Sequence, residues 1–343
     1  MRAVVMRNSQ LVIDTLPDPT PGPGEVLVKT LACGICGSDL HALKHADKMI
    51  AAARESGAPF VLDLQRDVVM GHEFCAEIIE FGPNTLKRIP AGSRVVSMPI
   101  SFRGGRPQAI GYSDDVPGGY GELMVLTEPL LLAVPNGLAT EFAATTEPIA
   151  VGVHAVAKAK ATPRDAALVV GCGPVGLAVI AGLRLAGVEV IVAADYSPMR
   201  RRLAAHMGAN VVVDPKEKRP IDAWREVAGA KSAVLFECVG VPGVIDQLMR
   251  DAPPQSRIVV AGVCMEDDTI RPSFGINKEL NVQFVLGYTP DEFARTLAAL
   301  AEGQVDVAPM VTGTTGVEGV SESFRTLANP ESHAKILVEP WRS

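Results

Sequence analysis

The chain has 343 residues, of which 48% are hydrophobic and 21% are charged, and its formal net charge is −7. Because single hydrophobic cores stop growing near about 250 to 300 residues, this length predicts two domains. The one basic cluster, Met199 to Arg202, is too small for a nucleic-acid-binding face, and no apolar run approaches the roughly 18 to 20 residues that cross a bilayer. We therefore expect neither a nucleic-acid partner nor a membrane span.

The N-terminus and the cysteines predict a cytoplasmic protein. Residues 1–19 alternate like a strand and lack the long apolar centre and the cleavage site of a signal peptide. The cysteines are scattered along a long chain, which argues against a disulfide framework. Thiol chemistry or metal binding remains open for them.

Up to about residue 147 the chain predicts mostly antiparallel β structure. Short alternating runs such as Glu25 to Thr30 and Cys75 to Gly82 are separated by Gly- and Pro-rich segments. One stretch differs, because His45 to Gly57 carries alanines, Met49 and Ile50 at helical spacing before a closing glycine. It predicts a helix inserted in a loop.

From Asp165 the pattern alternates between apolar runs of strand length and amphipathic helices. Such alternation predicts a parallel sheet with helices on both faces. A sixth strand is expected at Asn281 to Gly287, followed by a helix from Pro290 and a closing strand in the motif AKILVEP.

A glycine-rich motif, VVGCGPVGLAVIAG, lies between the first of these strands and its helix. Gly171 permits a tight turn, Gly173 lets the backbone approach a pyrophosphate, and Gly176 lets helix and strand pack closely. The helix N-terminus beginning at Pro174 and Val175 offers free N–H groups to phosphate. These residues predict a dinucleotide site.

Asp195 ends the next strand, where a carboxylate accepts both ribose hydroxyls and repels a 2′-phosphate. It favours NAD over NADP. Arg200 lies close by and could relax that preference, although a solvated helix face is the simpler interpretation of the arginines at 200–202. We also assign Val151 and Val263 to the cofactor site.

Cys33 and Cys36 form a Cys-x-x-Cys pair in the segment CGICGSDLH. A thioredoxin-type redox pair begins a helix in a βαβ unit, which is not expected here. A structural zinc would need a second such pair, and none follows. What does follow is His72 and Glu73, next to a Gly71 that allows an unusual backbone turn.

The motifs GPGEVLVK, CGICGSDLH, GHEF, AGSRVV, GGYGEL, EPIAVGVHAV, GCGPVG and KILVEP occur in this order over essentially the whole chain. In this arrangement the sequence resembles the zinc-dependent medium-chain dehydrogenase/reductase family, the alcohol and polyol dehydrogenases. The resemblance implies an α/β fold in which a Rossmann domain with a doubly wound parallel sheet, residues 148–289, is inserted in a mostly β, GroES-like catalytic domain, residues 1–147 and 290–343.

Carried over by position, Cys36 and His72 match two ligands of the family's catalytic zinc. The third ligand stays open between Glu73, which adjoins His72, and Glu147, at a position where polyol dehydrogenases have a glutamate. A catalytic zinc takes three protein ligands and keeps one position for substrate. We expect the two carboxylates to exchange, with Glu147 bound in the resting state.

The resemblance also implies a proton relay. Ser38 takes the alcohol proton, which passes through the cofactor ribose and His41 to solvent. Asp39 matches the carboxylate that orients the ligand histidine, and by itself it equally suits loop capping. Since zinc acidifies the alcohol as a Lewis acid, the relay need only carry the proton away, while hydride passes to the nicotinamide.

Other conspicuous residues are interpreted as structural. His154 is expected to be a packed helix residue. The remaining cysteines are expected to be buried small hydrophobes and three methionines to be core: Cys33, Cys75, Cys172, Cys238 and Cys264, with Met6, Met70 and Met98.

The chain departs from the family in two places. Residues 97–123, here called the cysteine-free lobe, lack the four cysteines with which many zinc alcohol dehydrogenases hold a structural zinc. We therefore predict one zinc per chain and a lobe that keeps its shape by other means. The helix at residues 45–57 lengthens the interval between Cys36 and His72, and we expect it to shield the mouth of the active site.

The sequence as a whole predicts a zinc- and NAD-dependent dehydrogenase acting on a small-molecule secondary alcohol, diol or polyol. The resemblance implies a homodimer or homotetramer, associated near Val282 to Leu286. A zinc-free NADPH quinone or enoyl reductase is disfavoured by Cys36, His72 and Asp195. A nucleotide-binding protein without turnover is also disfavoured, because a pure binder needs no proton relay.

Overall fold

The computed structural model describes residues 1–57, 62–63, 65–135 and 137–342. Within them the strands are β1 (Arg2–Arg7), β2 (Gln10–Thr15), β3 (Glu25–Gly34), β4 (Val68–Val69), β5 (Glu73–Phe81), β6 (Arg94–Ser97), β7 (Ile100–Ser101), β8 (Gln108–Ala109), β9 (Leu123–Thr127), β10 (Leu131–Ala133), β11 (Asp165–Val170), β12 (Val190–Ala194), β13 (Val211–Val213), β14 (Ser232–Glu237), β15 (Arg257–Val260), β16 (Asn281–Phe284), β17 (Val311–Thr315) and β18 (Lys335–Val338). The α-helices are α1 (Gly37–Ser56), α2 (Thr140–Ala143), α3 (Thr146–Lys158), α4 (Pro174–Leu185), α5 (Pro198–His206), α6 (Pro220–Ala228), α7 (Val244–Asp251), α8 (Pro272–Lys278), α9 (Pro290–Ala301) and α10 (Val320–Leu327).

The first part of the chain forms antiparallel β structure, as predicted. Strand β3 is central, pairing antiparallel with β5, with β9 and, at its C-terminal end, with β18. Because β18 and its parallel neighbour β17 come from the end of the chain, the C-terminal segment completes the N-terminal sheet. The division at residues 147 and 290 itself stays a prediction.

The alternating second part forms a parallel sheet in the order β13-β12-β11-β14-β15-β16, confirming the predicted doubly wound arrangement. Helix α3 leads into this sheet and packs tightly on α4. A Cβ at Gly152 would lie 2.1 Å from the carbonyl carbon of Ala178, so the two helix backbones nearly touch there. This contact holds α3, whose first turn carries Glu147, against α4 of the parallel-sheet domain.

The helix predicted from His45 is longer than expected. Helix α1 begins at Gly37, directly after Cys36, and is kinked at His45 (φ −136°, ψ 29°) rather than inserted in a loop. Its start is hidden in the sequence because glycine and serine are weak helix formers, whereas the Asp39 carboxylate caps the turn by accepting the Cys36 N–H at 2.9 Å. Cys36 therefore does precede a helix, but the flanking strands β3 and β5 are antiparallel, unlike a redox βαβ unit.

The structural roles expected of the other residues are mostly confirmed. All six cysteines are free thiols. Cys264 is the exception to the expected burial, because it is partly exposed in the loop after β15, whereas the other four structural cysteines are buried. Met98 is only partly buried. No helix in the described part of the chain combines the length and apolarity needed to traverse a bilayer.

Candidate metal and dinucleotide site

Three predicted ligands converge where β3 ends and β5 begins. In the described part of the chain, Cys36 Sγ, one ring nitrogen of His72 and a carboxylate oxygen of Glu73 lie within 4.8 Å of one another. The turn before His72 depends on Gly71, whose φ is +99° and whose added Cβ would lie 2.6 Å from the Tyr120 ring. Only glycine fits this turn, so it sets the position of the imidazole.

The donor set fits zinc. Zinc takes sulfur at about 2.3 Å and nitrogen or oxygen at about 2.0 to 2.2 Å, so three of its ligands lie within about 4 Å of one another. His72 Nδ1 is buried, makes no hydrogen bond and lies 3.4 Å from Asp39 Oδ1. A small movement of the ring would give that nitrogen a carboxylate partner and direct the other nitrogen to the metal.

Glu73 is held by a buried ion pair. Lys335 Nζ lies 2.7 Å and 2.6 Å from its two carboxylate oxygens, and it also donates to the Ile35 carbonyl oxygen at 3.1 Å. Gly34 makes room for this carboxylate, since an added Cβ would lie 2.0 Å from Glu73 Oε2. A metal would therefore compete with Lys335 for Glu73.

Glu147 approaches the same region from the first turn of α3 but lies outside the cluster defined by the 4.8 Å spacing. Burial raises the pKa of Glu147 to about 7, with the nearby His72 imidazole opposing the rise and the Glu73 carboxylate adding to it. Tyr288 also interacts with the carboxyl group. The choice between Glu73 and Glu147 as third ligand stays a prediction.

Asp39 caps α1, whereas its expected role in orienting His72 stays a prediction, since Oδ1 lies 3.4 Å from His72 Nδ1 without a hydrogen bond. Its fully buried carboxylate accepts hydrogen bonds from the Tyr120 hydroxyl at 2.6 Å and the Cys36 N–H at 2.9 Å. Burial alone would raise the pKa of Asp39, but His72 and these hydrogen bonds hold it below its usual value. An ionised carboxylate thus lies behind the histidine and at the same time caps α1.

The two residues predicted to form the relay, Ser38 and His41, lie on the first turns of α1. Ser38 Oγ is 2.8 Å from the Tyr112 hydroxyl. His41 follows one turn later, and its ring centroid is 6.3 Å from that of His45. Burial lowers the pKa of His41, and the neighbouring His45 and Lys44 lower it further. Both relay residues are partly exposed.

Several side-chain bonds hold the cysteine-free lobe. The Arg103 guanidinium pairs with Glu25, with 2.6 Å between Nη2 and Oε2. Gln108 donates to the Arg103 carbonyl oxygen at 2.9 Å and accepts from Ser113 Oγ at 2.6 Å. The lobe is thus tied both to β3 and across its own turn.

The glycine motif has the predicted shape. Gly171 has φ +91°, and a Cβ on Gly176 would lie 1.9 Å from the Gly171 carbonyl oxygen. Gly173 is the N-cap of α4, with Pro174 as its first residue, and a Cβ there would meet nothing closer than 3.8 Å. The third glycine is therefore required by packing, whereas the second leaves space beside the helix N-terminus.

Asp195 faces this turn. Its two carboxylate oxygens accept the backbone N–H groups of Cys172 and Ser197, each at 2.8 Å. The nearest atom to a Cβ at Gly173 would be Arg200 Nη1 at 3.8 Å, and Arg200 Nε is buried without a hydrogen bond. Arg201 is already occupied, 3.0 Å from Asp214. The arginine next to the glycine turn is thus Arg200.

The remaining predicted cofactor residues lie apart in the fold. Val151 is on α3 and partly buried, Val175 is on the first turn of α4, and Val263 is 53% exposed. Gly240 leaves room for the Val263 backbone, since an added Cβ would lie 2.6 Å from its carbonyl oxygen. Their contacts with a nucleotide stay predictions.

Sequence reasoning missed four side chains of the site. Tyr120 and Lys335 lie inside the quoted motifs GGYGEL and KILVEP, which mark their positions but not their partners. Tyr112 and Tyr288 have no motif of their own.

His154 is buried, as predicted, and its Nδ1 lies 2.8 Å from Glu292 Oε2.

Comparison with known proteins agrees with this architecture. Residues 22–136 match the family model of the alcohol dehydrogenase GroES-like domain, and residues 174–302 match that of zinc-binding dehydrogenases. The chain is 32% identical to (R,R)-butanediol dehydrogenase of Bacillus subtilis, covering 99% of this chain and 100% of that protein. It is 26% identical to sorbitol dehydrogenase of the same organism, covering 100% and 98%. The crystal structure of 2R,3R-butanediol dehydrogenase from Bacillus subtilis superimposes with a TM-score of 0.85 at 31% identity, covering 99% of each chain.

Proposed function

The chain belongs to the zinc-dependent medium-chain dehydrogenase family of alcohol and polyol dehydrogenases, and from this premise we propose that it oxidises a secondary alcohol, diol or polyol with NAD. The observation that carries the proposal is the convergence of Cys36, His72 and Glu73 within 4.8 Å, with Glu147 close to His72 and Glu73, in a chain that also has the full glycine motif. A quinone or enoyl reductase without zinc would not need this donor set.

We infer one catalytic zinc per chain, held by Cys36, His72 and Glu147. Glu147 is the better third ligand because both oxygens of Glu73 are already within 2.7 Å of the Lys335 ammonium group. When bound, zinc supplies a Lewis acid that makes the alcohol hydroxyl more acidic. Glu73 would exchange with Glu147 only if it left Lys335, a buried cation, without its partner.

Two side chains on α1 then transfer the proton released by the alcohol. Ser38 Oγ accepts it from the alcohol hydroxyl, and the partly exposed His41 delivers it to solvent. The lowered pKa of His41 favours its neutral form, which can accept a proton. Hydride moves from the alcohol carbon to the nicotinamide, which is chemistry of the cofactor.

The preference for NAD rests on Asp195. The backbone N–H groups of Cys172 and Ser197 fix its carboxylate, and each oxygen keeps a lone pair for a ribose hydroxyl. A 2′-phosphate in the same place would meet a negative charge. Arg200 works in the opposite sense, so we infer a preference for NAD rather than exclusive use of it.

A vicinal diol is the substrate to test first, since two relatives, at 32% and 30% identity, are (R,R)-butanediol dehydrogenases. The experiment measures NAD reduction by absorbance with butanediol stereoisomers, sorbitol and primary, secondary, cyclic and aromatic alcohols. We expect the highest kcat/KM with a secondary alcohol or diol. Turnover of quinones or enones with NADPH, and of no alcohol with either nucleotide, would overturn the proposal.

A homodimer or homotetramer would form through the edge strand β16. All four of its residues are exposed, and the side chains of Val282, Phe284 and Leu286 are 37%, 64% and 89% exposed. Strand β15 pairs with one edge of β16, which leaves the other edge to a second copy.

We also propose a reducing, cytoplasmic setting. Six free thiols in one chain are typical of a compartment in which disulfides do not persist.

A further inference from the structure

Tyr112 reaches the candidate site from the cysteine-free lobe. Its hydroxyl oxygen is 2.8 Å from Ser38 Oγ and 3.0 Å from Asp39 Oδ1, and its ring centroid is 5.3 Å from that of His72. One side chain thus contacts the proposed proton acceptor, the carboxylate behind it and the ring of a proposed metal ligand.

The lobe holds Tyr112 firmly against this part of the site. Gly111 has φ +85°, and a Cβ on it would lie 2.9 Å from the backbone of Gly71, next to the ligand histidine. A Cβ on Gly118 would lie 2.5 Å from the carbonyl oxygen of Gly71. On the other side of Tyr112, Ser113 and Asp114 are bonded to Gln108 and Arg66. Tyr112 is therefore positioned by the same turn that positions His72.

The direction of the hydrogen bonds follows from what each group can donate. The Asp39 carboxylate already accepts from the Tyr120 hydroxyl and the Cys36 N–H, whereas the Tyr112 hydroxyl has one hydrogen to give. If Tyr112 gave that hydrogen to Ser38, the Tyr112 hydroxyl oxygen and Asp39 Oδ1 would face each other at 3.0 Å with no hydrogen between them. Tyr112 therefore donates to Asp39 and accepts from Ser38.

We propose that Tyr112 is a positioning residue that fixes the polarity of the hydrogen bond between Ser38 and the substrate alcohol, an inference that rests on the proposed function. With its hydrogen turned to Tyr112, Ser38 Oγ presents lone pairs to the site. An incoming alcohol must then donate to it, which is the orientation that deprotonation needs. As the alcohol proton reaches Ser38 Oγ, the serine hydrogen leaves Tyr112 for the relay to His41, so one proton enters and one leaves.

The test is a double-mutant cycle with Tyr112→Phe and Ser38→Ala, measured as kcat and KM for alcohol oxidation. Removing the hydroxyl frees the Ser38 rotor, so we expect Tyr112→Phe to lower kcat about five- to tenfold. We expect it to change KM by less than about twofold, and to have less than about a twofold effect on kcat in the Ser38→Ala background. The solvent isotope effect on kcat should rise, while zinc per chain and thermal midpoint are measured alongside.

Tyr120→Phe is the matched control, because Tyr120 donates to the other Asp39 oxygen, Oδ2, at 2.6 Å, whereas Tyr112 contacts Oδ1 and Ser38 Oγ. The fold-changes in kcat caused by Tyr120→Phe and by Ser38→Ala should be multiplicative, as expected of independent sites. If the effects of Tyr112→Phe and Ser38→Ala on kcat are also multiplicative, or if Tyr112→Phe lowers the zinc content, the role of Tyr112 is structural and the inference is wrong. Unchanged kcat in Tyr112→Phe would overturn the inference alone, whereas a wild type that oxidises no alcohol would overturn the proposed function and this inference together.

Discussion

The two halves of the site are built in different ways. In the dinucleotide half, backbone geometry dominates, and the bond between Asp195 and the Cys172 N–H spans only 23 residues of sequence. In the metal half, side chains from distant segments meet, since Tyr112 and Ser38 are 74 residues apart and Lys335 and Glu73 are 262 apart. The first half is a local motif, whereas the second exists only after the chain has folded.

The largest effect is expected where the local motif is sterically closed. A Cβ at Gly176 would lie 1.9 Å from the Gly171 carbonyl oxygen, whereas at Gly173 the nearest atom is 3.8 Å away. Gly176→Ala should therefore destabilise the fold by more than about 5 kcal/mol and abolish nucleotide binding. Gly173→Ala is the control, which should keep wild-type stability and lose only cofactor affinity. Calorimetric binding of NADH and urea unfolding separate the two, and equal unfolding free energies would contradict the packing argument.

The next largest effect tests the long-range half. Lys335→Met leaves the buried Glu73 carboxylate without a counter-charge, which should cost about 3 to 5 kcal/mol in urea unfolding. Adding Glu73→Gln removes the stranded charge and should recover most of that loss. A single variant as stable as the wild type would mean that the ion pair does not stabilise the metal half.

Cofactor preference comes third. Asp195→Ala removes a charged acceptor of the ribose and the repulsion of a 2′-phosphate, so the ratio of kcat/KM for NAD to that for NADP should fall about ten- to a hundredfold. Asp214→Ala serves as the control, because it also removes a carboxylate, but one that pairs with Arg201 at 3.0 Å, whereas Asp195 bonds to the glycine turn. An unchanged ratio would mean that Asp195 does not determine the cofactor preference, and Arg200 would be the next residue to test.

The smallest effect on activity is expected at the sheet edge. Phe284→Glu places a charge on an exposed strand that we propose pairs with a second copy. Sedimentation or light scattering should show a smaller assembly, with kcat changed by less than about threefold. An oligomer of unchanged mass would place the interface elsewhere.

The sequence predicted most where neighbouring residues suffice. The glycine turn, the position of Asp195 and the alternation from Asp165 onward need only local spacing, and the structure has all three as predicted, while the contacts of Asp195 with a nucleotide stay a prediction. The start of α1 was missed because its N-terminal turn is stabilised by the Asp39 cap rather than by helix-forming residues. Tyr112 and Lys335 could not be assigned roles, because a hydrogen bond to Ser38 or an ion pair with Glu73 depends on which distant strands and loops meet.

Zinc content tests the central claim most directly. Plasma mass spectrometry of purified, metal-replete protein should find about one zinc per chain in the wild type and less than about a tenth of that in Cys36→Ser. Cys264→Ser, which replaces a partly exposed cysteine in the loop after β15, should keep the wild-type value. A wild type without zinc, or a Cys36→Ser variant that retains it, would contradict the assignment of Cys36 and His72 as the metal site.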